Sequence, residues 1–134
     1  MTAWQKAWRE GLAPQLSTAG LLALEGALDL DDPRLLQLQT VSPLPLHPHA
    51  CRPVQGACPI AFAGWKGDGL LILAELEEFF PRIIFRAGER LGDPTAARYF
   101  LNWGDDSPRD EWRRELLAEV RRELARRRRK AGAA

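Results

Sequence analysis

The sequence predicts a mainly α-helical domain, a compact bundle of about six helical segments interrupted by a long proline-rich irregular segment over residues 40–69. Three observations predict it. Apolar residues recur every three or four positions through most of the chain, the spacing that gathers side chains on one helix face. Capping residues followed by proline stand at Asp32-Pro33, Asp93-Pro94 and Ser107-Pro108. At such a pair the side-chain oxygen accepts from the free N–H groups of a helix start, and proline gives up an N–H that had no helical partner. Finally, 134 residues with 46% hydrophobic content suit one core, and no apolar run approaches the roughly 18 residues of a membrane span.

Each element follows from these signals in turn. Trp4, Trp8 and Leu12 are spaced four apart and form the stripe of a first helix. The first twelve residues mix those tryptophans with Gln5, Lys6, Arg9 and Glu10, which is no secretory signal, so a cytoplasmic location is expected. Ser17 is the cap of a second helix whose face is Leu21, Leu24 and Leu28. Asp32–Gln39 reads as a short helical piece carrying Leu35, Leu36 and Leu38. The longest candidate, Leu71–Leu91, sets Leu76, Phe79, Ile83 and Ala87 against Glu75, Glu78, Arg82 and Glu89.

Pro81 sits in the middle of that helix and clashes with the carbonyl of Glu77, so a kink or break near Phe80 is expected. The apolar stripe keeps its phase across the proline, which favours the kink. Gly92 stops the helix, Asp93 restarts the chain, and Tyr99, Phe100, Leu101 and Trp103 follow. Ser107 and Asp110 approach a capping box for a long charged helix over 108–130, striped by Trp112, Leu116, Val120 and Leu124. The expected organisation is one globular domain over 1–125, with 126–134 a basic tail extending the last helix.

The 40–69 segment holds five of the ten prolines and shows no helical period. Loops of this length are usually functional or disordered. Its apolar second half, Ala57–Trp65, reads as a short strand pair or an extended segment lying over the core. Lys66-Gly67-Asp68-Gly69 then reads as a turn.

That segment carries both histidines and both cysteines: His47, His49, Cys51 and Cys58. Two imidazoles and two thiolates are a legitimate zinc ligand set. On an extended strand residues 47, 49 and 51 share one side, and a turn at Gln55-Gly56 returns Cys58 as the fourth ligand. Pro48 and Pro53 oppose this by favouring polyproline geometry, and the paired-cysteine knuckle is missing. Free thiols and solvated histidines are the simpler reading.

Charge is distributed unevenly. Residues 109–134 carry ten Lys and Arg against five Asp and Glu, whereas 1–108 carry nine against thirteen. The run Arg126, Arg127, Arg128, Arg129 and Lys130 is chemically suited to phosphates of a nucleic acid. The same cations also suit a helix C-terminus, and along the helix Glu119 stands at pairing distance from Arg122 and Glu123 from Arg126 and Arg127.

Five tryptophans make the chain rich in a residue enriched at interface hot spots. Trp65, between Gly64 and Gly67, is expected to be partly exposed and is the first candidate for docking a partner or a second copy of the chain. Trp4 and Trp8 are further candidates, with core packing as their competing role. Asp105 and Asp106 are assigned to turn and cap chemistry. The sequence has no glycine-rich phosphate loop, no serine nucleophile elbow and no HExxH helix. It therefore reads as a non-enzymatic protein-interaction or regulatory module. A nucleic-acid-associated protein and a small zinc protein are the alternatives.

Overall fold

Thr2 and Gln5 start the chain with a reciprocal cap. The Gln5 N–H donates to Thr2 Oγ1, and the Thr2 N–H donates to Gln5 Oε1 at 2.9 Å. In the computed structural model, which describes residues 1–38 and 53–133, six α-helices follow. They are α1 (Ala3–Lys6), α2 (Thr18–Leu30), α3 (Pro59–Phe62), α4 (Leu73–Leu91), α5 (Ala97–Asp106) and α6 (Arg109–Ala133). Helix α1 continues without a break through π-helical turns over Ala7–Leu12 and a 3-10 turn over Ala13–Gln15. Helix α3 likewise continues as π-helical turns over Ala63–Gly67. None of these helices is long and apolar enough to cross a membrane.

Of the expected caps, Ser17 holds as a side-chain cap. Ser17 Oγ accepts from the Gly20 N–H at 2.9 Å and starts α2, which ends on Asp31 in the left-handed region at φ 52°. Asp93 does not cap a helix as expected: its Oδ1 accepts from both the N–H and the hydroxyl of Thr95 in a turn, and α5 starts after Ala96 without a side-chain cap. Helix α4 starts where Glu75 accepts from the N–H groups of Leu71 and Ile72, at 3.0 and 3.2 Å. It runs as one helix past Pro81, whose ring is exposed, and stops at Gly92 with φ 66°. Ser107 differs: its hydroxyl donates back to the Trp103 carbonyl at 2.6 Å, closing α5.

Two further expectations are overturned. Asp32-Pro33 begins a turn and not a helix. Asp32 Oδ1 accepts from the Arg34 N–H at 2.9 Å, and the Asp32 carbonyl accepts from Leu35 at 3.0 Å. The chain then runs beside Ala57, with Leu36 N–H to the Ala57 carbonyl and Ala57 N–H to the Arg34 carbonyl, and Leu35 sinks into the core.

Ala57–Trp65, read as strands or extended chain, is instead helical after an extended Cys58, with Pro59 as the first helical residue. Pro59 through Gly64 are all buried. A helix enclosed on every side has no polar face, so no period marks it in the sequence. Among the described residues, β-structure is limited to the isolated bridges Leu35–Ala57 and Pro53–Ile72.

The core lies where these helices meet. Trp112, Leu116, Val120 and Leu124 of α6 are buried together against α2, which also packs along Ala63–Gly67. Helix α4 packs against Ala7–Leu12, and α1 packs against α5. Ion pairs from Arg121 to Glu25 and Asp29, and from Arg109 and Arg113 to Asp31, tie the outer edges of α6 and α2.

Candidate functional site

The π-helical turns over Ala63–Gly67 carry Trp65 to the surface. Its indole is half-buried, with the edge of Phe62 5.7 Å away at 82°. The Lys66 ammonium lies 4.2 Å from the ring centroid, and the Arg34 guanidinium 5.7 Å. Cations at such distances are attracted by the negative face of the ring. Arg34 also forms a bidentate pair with Asp32, at 2.7 and 3.0 Å. That hydrogen-bonded guanidinium holds the Asp32 carboxyl below the ordinary aspartate range. Lys66 is exposed and has no acid at bonding distance among the described residues.

The base of this surface is anchored to α2. Ser17 Oγ donates to Asp68 Oδ1 just past the helical turns, and Gly67 meets the backbone of Gly20 directly. Trp65 is thus an aromatic ring with two cations beside it on a firmly packed support. Such a surface can hold a carboxylate-bearing chain, by charge at Lys66 and by contact with the indole.

The other candidate residues are placed as follows. Trp4 stacks on Trp103, with centroids 3.6 Å apart and planes within 4°, while Trp8 is wholly buried with its ring 5.2 Å from Phe100. These two tryptophans fasten the first helix to α5 and leave almost no surface for a partner, so their reading as docking residues gives way to core packing.

The basic run divides into two sets. Arg126 donates through Nε and Nη2 to Glu123 at 2.9 and 2.7 Å. Arg127 bonds Glu123 as well, and its Nη2 donates to the carbonyls of Ala13 and Leu16, where the 3-10 turn ends. Arg128, Arg129 and Lys130 are exposed and have no acid partner among the described residues. Residues 109–133 form one helix, and Arg127 within it packs against the folded body.

His47, His49 and Cys51 lie outside the described residues. Cys58 is buried, and burial pushes its thiol up. No group of three or more possible metal ligands is found among the described residues.

Sequence reasoning missed Arg34 and the cross-chain pair of Arg9 with Glu119, which is bidentate at 2.7 and 2.8 Å. Neither leaves a local signal, because the partners are far apart in the chain. Lys66 could have been found from its position next to Trp65. No family model, curated protein or solved structure matches this chain.

Proposed function

We propose that this domain works by binding and not by catalysis, as an interaction module that receives an acidic segment of a partner protein across Trp65. The observation that supports this reading is the indole with Lys66 at 4.2 Å and Arg34 at 5.7 Å, presented on a packed support. Tryptophan and arginine are enriched at the energetic centre of many interfaces. The test is titration with a glutamate-rich peptide containing one leucine, followed by Trp65 fluorescence. Binding should saturate, weaken with added salt and vanish in Lys66→Glu. Equal binding by the wild type and Lys66→Glu would refute the assignment.

A second reading draws on Arg128, Arg129 and Lys130, exposed cations at the end of α6 without acid partners among the described residues. It makes the chain a nucleic-acid-associated protein that contacts phosphates without reading bases. Neutralising all three should then lower the salt slope of duplex DNA binding by about 3 at most. An unchanged slope would remove this reading.

A further inference from the structure

We propose that the cleft between the first helical rod and α6 is a binding site for a phosphate-type oxyanion, held principally by Arg122. The cleft is bordered by Trp8, Arg9, Glu119, Arg122, Glu123 and Arg126 and encloses about 50 Å³. A single water needs roughly 10–15 Å³, so this space admits a small tetrahedral group and excludes a folded partner.

Charge favours an anion. Three guanidinium groups face two carboxylates, and both carboxylates already accept from arginine. Glu119 receives Nε and Nη2 of Arg9, at 2.7 and 2.8 Å. Glu123 receives Nε and Nη2 of Arg126, at 2.9 and 2.7 Å, with Arg127 Nε at 3.1 Å. These acids have little capacity left for a metal ion. Arg122 has neither an acid partner nor another hydrogen bond among the described residues, so all five of its donors are free. The Nη1 group of Arg126 is uncommitted as well, while Nη1 of Arg9 meets only the thioether of Met1 at 3.7 Å. The cleft is therefore rich in donors and carries one uncompensated positive charge.

A second observation comes from the wall of the cleft. Trp8 borders it, and Trp8 Nε1 is one of two buried side-chain donors without a hydrogen-bond partner among the described residues. Tryptophan N–H groups normally find an acceptor when buried. The Trp8 ring lines the cleft, so its buried indole N–H reports on whatever occupies the space beside it.

The full chain, labelled with ¹⁵N, should be titrated with inorganic phosphate at constant ionic strength, following the indole N–H resonance of Trp8. The expected result is a saturable shift. Arg122→Gln should weaken binding at least about tenfold, the scale of losing charge-assisted hydrogen bonds. Arg114→Gln should leave it unchanged, because Arg114 borders a different cleft, with Asp29 and Asp110.

A parallel titration with phosphoserine separates the sources of the ligand. Saturation by both means that a phosphoryl group on a larger molecule enters, and saturation by inorganic phosphate alone identifies the free ion. A shift that fails to saturate, that chloride reproduces, or that Arg114→Gln reduces as much as Arg122→Gln would overturn the proposal.

Discussion

A Cβ on Gly67 would stand 2.2 Å from the Cα of Gly20. Helix α2 and the helical turns bearing Trp65 therefore meet backbone to backbone, and no side chain can be inserted without moving one of them. A methyl group at this contact overpacks a site that has no flexible neighbour to yield. Gly67→Ala should destabilise the domain by about 1–3 kcal/mol and shift Trp65 emission, both read from urea unfolding curves. An unchanged midpoint would mean that the two backbones do not touch.

Gly26 provides the opposite case on the same helix. A Cβ there meets nothing within 4 Å, the residue is exposed, and it lies inside α2. Only the intrinsic helix preference remains to act. Gly26→Ala should therefore stabilise the protein, by about 0.5–1 kcal/mol, with no change in Trp65 emission. Calorimetry of the two alanine variants side by side would show whether glycine serves packing at Gly67 and nothing at Gly26.

The pH dependence should be carried in part by Glu123. Burial pushes this carboxyl up, but hydrogen bonds from Arg126 and Arg127, with their charges, outweigh burial and hold it below the ordinary glutamate range. A carboxyl lowered in the folded state binds its proton more readily in the unfolded chain. Its contribution is therefore present above the unfolded value of about 4.3 and is lost as the pH falls through the lower folded value. Glu123→Gln should cost about 1–3 kcal/mol at pH 7, and the difference from wild type should shrink steadily below about pH 4. A constant difference between pH 7 and pH 3 would show that the carboxylate charge is not what secures Arg127 to the Ala13 and Leu16 carbonyls.

How far the sequence was legible depends on whether the signal was local. Trp112, Leu116, Val120 and Leu124 announce their helix, because one face is buried and the other is charged. Ser17 announces a start, because the bond it makes lies within three residues. The same chemistry misleads at Asp32-Pro33, where Leu35 is drawn down beside Ala57 and the backbone turns before a second helical turn can form. Helix α3 was invisible for the reverse reason, since uniform burial removes the contrast that a period requires. Trp65 could be singled out by its glycine neighbours, but Arg34 reaches it only through the fold. The arginines of the α6 cleft depend in the same way on Arg9 arriving from the other end of the chain.

Trp65 should be the tryptophan that a charged quencher distinguishes. Trp8 and Trp112 are fully buried, Trp4 nearly so, and the half-buried Trp103 is stacked against Trp4. Trp65 is half-buried too, but it has Lys66 and Arg34 beside it, which concentrate an anion near the ring. Iodide should therefore quench one component of the emission more strongly than the neutral quencher acrylamide does, relative to free indole. Trp65→Phe should remove that component. Lys66→Glu should reverse the preference for iodide while leaving the acrylamide response nearly intact. Raising the salt to 1 M should remove the preference as well, because the screening length falls to about 3 Å. If Trp65→Phe leaves iodide quenching unchanged, the accessible indole is another one, and the acidic-partner reading loses the surface on which it depends.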